Sequence, residues 1–334
     1  MAHDPLTRFP APLGPPPQYQ PPPERDSSIP PEPQRTRLGL HVGLFVLTVI
    51  SMQVTAMNMT GSTPEHWKLG YAASQALSLL GILLVHELGH YIAARLHRVP
   101  ASPPYFLPLP FLSWFGTLGA VITMSGRIRS RKALLDIGAA GPLAGMVVAL
   151  PVLYFGLRLS EVTPRASDNY IQEGQSILYW LMKRVVFGPL RPDQDVQLHP
   201  MAFAGWGGLL LTMINLLPWG QLDGGHIAFA LFGERQHVFA RWFRRGLLVV
   251  FAYNFVTFVL PVLLGRSSQG LGEAISSCLF WLMWYGITGA MARFSGEQHP
   301  PFEPGPLDLG RKLVAVASLV LFVLLFLPTP VAFY

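Results

Sequence analysis

The chain has 334 residues, 51% of them hydrophobic and 13% charged, with a mean hydropathy of +0.37. Soluble domains carry about 25% charged residues, so the composition argues against a soluble enzyme and for a membrane protein. The single cysteine, Cys278, rules out an intramolecular disulfide framework, and the net charge of +6 fits membrane orientation better than nucleic-acid binding.

Residues 1–37 are proline-rich, with QYQPPPERDSSIPPEPQ at their centre, and read as a disordered or polyproline-like tail. They are not apolar, so no cleavable signal peptide is expected. Leu38–Met57 is the first apolar span, and a polar loop over Thr60–Lys68 follows. Gly70–Leu96 reads as one hydrophobic helix, ending in a basic flank of Arg95, His97 and Arg98. Val99–Gly126 does not read as a helix. VPASPPYFLPLPF is dense in proline, and FGTLGAVITMSG sets β-branched residues between glycines, which predicts short strands or a re-entrant hairpin. Such backbone is tolerated at membrane depth only when buried in protein or lining a cavity. An exposed edge there would hold an extended polypeptide by strand addition; the alternative is a cytoplasmic loop with no catalytic contact.

Arg127, Arg129, Arg131 and Lys132 form a basic interfacial anchor before the third span, Ala133–Leu157. Gly138, Gly141 and Gly145 give that span a small-residue stripe suited to close packing against the preceding helix, and Asp136 is expected to cap it, the alternative being a polar contact to the site. Ser160–Pro200 is a loop of about forty residues, shorter than a typical domain. Within it, SILYWLMKRVVFG reads as an amphipathic interfacial helix. Met201–Leu217 is the fourth span, broken by Pro218 and Gly220 and followed by a short helix, His226–Phe232. Gly246–Leu264, Leu271–Ala292 and Leu313–Leu327 complete the spans, with His299-Pro300-Pro301-Phe302 before the last. The expected fold is an all-α polytopic membrane protein of about seven transmembrane helices, with a small β or re-entrant element. Its parts are the tail, 1–37, and one membrane domain, 38–334, with a core over about 70–232 and C-terminal helices over 246–327.

His86-Glu87-Leu88-Gly89-His90 lies in the last third of the second span. Ionisable groups in a membrane helix are costly and functional by default. His86 and His90, four apart, share one helix face and can bind one Zn²⁺. Glu87 is rotated by about 100° from His86 and is free to act as a base on water beside the metal. The alternative is a chance HExxH, or a helix end meeting the interface. A tetrahedral site needs a third protein ligand. Asp223 supplies a candidate, set between Leu222 and two glycines after the break at Pro218. The alternative for Asp223 is a helix N-cap.

HELGH paired with NLLPWGQLDGG resembles the site-2 protease family of intramembrane zinc metalloproteases, whose pattern is HExxH on one membrane helix and NxxPxxxLDGG on a later one. The segment DIGAAGPLAG between them resembles the family too, so the likeness spans roughly residues 80–232. The 160–200 loop has no room for the PDZ domain many members carry, and the HPP segment is similar to bacterial and plastid members. The resemblance implies an endopeptidase holding one Zn²⁺ per chain on His86, His90 and Asp223, with Glu87 as base. Asn215 would donate its amide to the scissile carbonyl or oxyanion; its alternative is a helix-to-helix hydrogen bond. His226 adjoins the motif, but its spacing does not make it a ligand. His299 reads as an ordinary loop histidine. The implied partners are a single-pass transmembrane substrate, within regulated intramembrane proteolysis, and the lipid bilayer; neither nucleic acid nor a PDZ-mediated partner is expected. A membrane metal transporter and a catalytically inactive scaffold are the rival readings.

Charge gives the orientation independently. With the N-terminus cytoplasmic and seven alternating spans, 17 of the 24 Lys and Arg residues fall on the cytoplasmic side and 7 on the other. This sets HELGH and Asp223 toward the cytoplasmic ends of two spans running the same way. A bacterial inner membrane is the expected location.

Overall fold

Apolar runs free of turn residues become helices long enough to cross a bilayer, which takes about 20 residues at 1.5 Å each. The computed structural model describes residues 37–59, 65–111, 113–124, 128, 130–165, 170–295 and 305–333. The expected proline-rich tail (apart from Arg37), Arg127, Arg129 and His299–Phe302 lie outside them. The long helices are α1 (Leu38–Met59), α2 (Glu65–Leu96), α3 (Arg131–Arg158), α7 (Gln236–Asn254) and α9 (Leu271–Ser295). Helix α7 runs on through a π-helical turn at Phe255–Val259 into a four-residue helix, α8 (Leu260–Leu263). Pro261 lacks the N–H a regular turn needs there. Shorter helices are α4 (Ile177–Phe187), α5 (Pro200–Asn215), α6 (Asp223–Phe232) and α10 (Leu309–Leu325). Among the described residues, five helical stretches are long and apolar enough to cross a membrane, whereas α5 and α10, at 16 and 17 residues, are shorter. The architecture is that of a polytopic all-α membrane protein, with helices at each of the seven expected spans.

Helices α2, α3 and α5 form the centre, and α6 packs on α3. Leu79, Ile82, Leu135, Leu153, Trp206, Leu209 and Met213 are almost fully buried between them. Inside a bilayer apolar burial alone gives helices little reason to associate, so close packing and interhelical polar bonds carry the assembly.

The N-cap of α3 is Ser130, whose side chain accepts from the Ala133 N–H. Asp136 is therefore not the cap. Its carboxylate lies 2.8 Å from His97 Nε2 at the end of α2 and takes 2.7–3.1 Å hydrogen bonds from Arg311 in the first turn of α10. Arg131 donates to the carbonyls of Ala230 (2.6 Å) and Leu231 (3.2 Å), satisfying acceptors at the C-terminal end of α6. The ends of α2 and α6 and the starts of α3 and α10 thus meet at one end of the bundle.

The proline-dense segment after α2 forms an antiparallel pair, β1 (Tyr105–Pro108) and β2 (Thr117–Val121), with Tyr105 opposite Val121 and an irregularity between Phe106 and Pro108. It packs against α1, where Ser51 Oγ donates to the Gly116 carbonyl. Two further pairs were not expected. Strand β3 (Glu161–Pro164) pairs with β5 (Gln194–Gln197), and β4 (Ile171–Glu173) pairs with β6 (Val331–Phe333), tying the 160–200 loop to the last described residues. Helix α4 in that loop turns its charge inward. Lys183 is buried, 3.2 Å from Glu173 and 3.7 Å from Asp195, and Tyr179 donates to Glu173 at 2.8 Å. Burial holds the Tyr179 hydroxyl well above its usual pKa. Ile177, Trp180, Leu181 and Val185 face outward, so the exposed side of α4 is apolar apart from Arg184, which lies 6.0 Å over the Trp180 ring. The ends of α10 and α3 and the start of α5 share this second end of the molecule.

Candidate metal centre

HELGH sits on the part of α2 that faces α3, and small residues on α3 admit it. A Cβ at Gly141 would fall 2.0 Å from His90 Nε2, and one at Gly89 would fall 2.5 Å from the Ala140 carbonyl oxygen. The two backbones therefore come close enough for α3 to reach the histidines. His90 Nδ1 lies 2.7 Å from the Ile137 carbonyl, the bond that orients a ligating imidazole and leaves Nε2 to bind. His86, Glu87 and His90 are all buried.

Asp223 arrives from the other side of the site. Helix α5 ends at Asn215, the chain turns through Gly220 at φ +53°, and α6 begins at Asp223. Gly224 lets α6 fold back on the end of α5, since a Cβ there would meet the Leu216 carbonyl oxygen at 2.0 Å. The N-cap position of α6 belongs to Leu222, and no side chain caps the helix. The Asp223 carboxylate points instead at the histidines, with Oδ2 3.4 Å from His86 Nε2 and 3.2 Å from His90 Nε2. The two Nε2 atoms are 3.1 Å apart.

Three electron-pair donors thus lie at mutual distances of 3.1–3.4 Å. Zinc bonds of about 2.0–2.1 Å in a tetrahedron require donor separations of about 3.4 Å. These residues therefore fit a tetrahedral zinc ion with one position left open. His86, His90 and Asp223 form the grouped ligand set found among the described residues. Asn215 Nδ2 lies 3.3 Å from His86 Nε2, so its amide borders the same point while also linking α5 to α2. His226, one turn along α6, lies beside Gly138 and is not in the ligand set. The orienting Ile137 carbonyl carries no side-chain signal. Its trace in the sequence is the small-residue stripe that brings α3 close.

The sequence profile of Peptidase family M50 matches residues 74–258, more than half of the chain and the whole of the segment that builds this centre. The chain belongs to Peptidase family M50. Among the proteins it is similar to are the probable zinc metalloprotease EGY1, chloroplastic, of Arabidopsis thaliana, 38% identical over 169 residues, and the probable zinc metalloprotease EGY2, chloroplastic, of Oryza sativa subsp. indica, 34% identical over 233 residues. These alignments cover 49% and 69% of this chain but only 30% and 42% of the two relatives. The match to the M50 profile agrees with the family resemblance carried by HELGH and LDGG.

Proposed function

We propose that the protein is an intramembrane zinc endopeptidase that cleaves transmembrane segments of single-pass membrane proteins. The observation that carries this reading is the convergence of His86, His90 and Asp223 at zinc-ligand spacing, beside the buried Glu87 on the same helix turn. One zinc ion per chain would be held by these three residues; when bound, it polarises a carbonyl and lowers the pKa of water to about 7. Glu87 takes the proton of the attacking water and delivers it to the leaving amine. The Asn215 amide donates to the scissile carbonyl oxygen as negative charge develops. A substrate helix must open before its peptide bonds are reached. Strand β2, with Leu118 and Val121 exposed, offers an edge for the opened segment. In this reading the start of α1 faces the cytoplasm of a bacterial cell. The chloroplast in the names of the plant proteins is said of those proteins.

The test is cleavage of a reconstituted transmembrane substrate, with zinc content measured in the same samples. Glu87→Gln keeps the shape and removes the base, so cleavage is expected to fall at least about a hundredfold while zinc is retained. Near-normal cleavage by that variant would end the metalloprotease reading. A wild-type protein that holds zinc and moves it across the bilayer without cleaving would favour transport.

A further inference from the structure

Arg244 lies on α7, outside the metal centre, and its guanidinium is set between aromatic rings with no carboxylate paired to it among the described residues. Its Cζ lies 4.3 Å from the ring centroid of Tyr285 on α9 and 5.9 Å from that of Trp219. Gly289, one turn beyond Tyr285, makes the room, since a Cβ there would fall 2.5 Å from Arg244 Nη2. Nε is buried without a hydrogen-bond partner, and the guanidinium forms no ion pair among the described residues. Trp219 stands four residues before Asp223, in the loop that turns α5 into α6. That loop is held against α7 by a 3.3 Å hydrogen bond from Gln236 Nε2 to the Pro218 carbonyl. Arg244 therefore sits at the level of the loop that leads into the metal centre.

Arg244 is half-buried, and ring contacts compensate its partial desolvation over its faces only. The donors lie in the guanidinium plane, where the rings leave them unused. A planar fork of N–H groups is the shape that binds carboxylate or phosphate through two parallel bonds. The buried Nε, with no partner among the described residues, calls for an acceptor from outside them.

We infer that Arg244, Tyr285, Trp219 and Gly289 form a receptor for one oxyanion, a carboxylate or a phosphate, beside the loop of Asp223. Two sources share this chemistry: an acidic side chain flanking the substrate's membrane segment, and the headgroup of an anionic lipid. Assigning the substrate as source rests on the peptidase reading; the anion site does not.

The test uses the full chain carrying Glu87→Gln, so that nothing is cleaved, in phosphatidylcholine nanodiscs. Transmembrane peptides differing only by Glu or Gln at the flank nearest the end of α2 are titrated, with tryptophan fluorescence as the readout. A second arm omits peptide, replaces part of the phosphatidylcholine with phosphatidylglycerol, and follows the unfolding temperature. Zinc content is measured throughout. A charge-assisted pair predicts that the Glu peptide binds at least about tenfold tighter than the Gln peptide. The difference should vanish in Arg244→Gln and in Gly289→Leu, which fills the recess and leaves the charge. A thermal shift with phosphatidylglycerol, lost in both variants and without peptide discrimination, would assign the lipid headgroup. Absence of both effects in the protein with Arg244 intact overturns the inference. So does peptide discrimination that survives both variants. Anion selectivity in a protein that never cleaves would strike the peptidase reading and leave this one standing.

Discussion

The histidine pair owes its position as much to a missing side chain as to its own. Gly141 faces His90 so closely that a single methyl group would occupy the place of the imidazole Nε2. The ring has little freedom to retreat, because Nδ1 is held at the Ile137 carbonyl. Gly141→Ala is therefore expected to leave α3 helical, since alanine favours helix over glycine, and to displace the ring. A misplacement of about 1 Å commonly costs about a hundredfold in rate. Cleavage should fall by that order, and zinc content should fall with it. Gly81→Ala on α2 is the control, because a Cβ there meets nothing within 4 Å. Equal behaviour of the two variants would show that α3 does not constrain the site. At this scale the sequence was largely legible. HELGH and LDGG carry their chemistry in residue type and spacing, and desolvation makes charged groups in an apolar run conspicuous. Asp136 was misread because an acid near a helix start looks like a cap, while its partner Arg311 lies 175 residues away. Nothing in residue type sets Arg244 apart from Arg241 and Arg245; only the packing of α9 against α7 does.

The elements around the site are tied at one end by charge. Arg311 donates to Asp136 on α3 and also bonds Asp308, the N-cap of α10. The backbone N–H of Arg311, followed by its guanidinium, holds the Asp308 carboxyl below the usual aspartate range. A carboxyl with a depressed folded pKa contributes stability that is full above the unfolded value and lost as pH falls through the folded one. Asp308→Asn should thus lower the unfolding temperature at neutral pH, and the gap to wild type should close as the pH drops below the ordinary carboxylate range. Thermal unfolding in detergent at several pH values checks this; a gap that stays constant into acid would mean that Asp308 acts through shape alone. The short strands were the least legible elements. Strands β3 to β6 have three or four residues each, include Glu161, Gln172, Glu173 and Asp195, and pair with segments distant in sequence. Neither alternation nor apolar content marks such strands. Helix α4 was readable as amphipathic, but not that its lysine faces the protein and its apolar stripe faces out.

For the whole molecule, the order of the helices and the contacts at their ends make one statement about orientation. His41, in the first turn of α1, approaches the Pro104 carbonyl at 3.1 Å, just beyond the end of α2. The end of α2 in turn meets the starts of α3 and α10 through His97, Asp136 and Arg311. The last described residues lie at the other end, where β6 pairs with β4 and the Trp281 indole donates to the Pro328 carbonyl at 2.8 Å. Helix α1 therefore begins, and β6 ends, at opposite ends of a bundle whose helices run across the membrane. By the positive-inside rule, the excess of Lys and Arg on the α1 side predicts that this side faces the cytoplasm. The expected outcome is labelling from opposite faces. Cys278 is buried, and replacing it with alanine gives a background for single cysteines. Gly39 has open space around it, and Arg191 lies exposed between α4 and β5. In sealed right-side-out vesicles a membrane-impermeant maleimide should label Arg191→Cys and spare Gly39→Cys, and inverted vesicles should exchange the two. Labelling of both from one face would show that one of α1, α2 and α3, the long helices between the two positions, does not cross. If α2 were that helix, the histidines and Asp223 would no longer reach one depth on spans running the same way, and the zinc site would have to be rebuilt around a re-entrant α2.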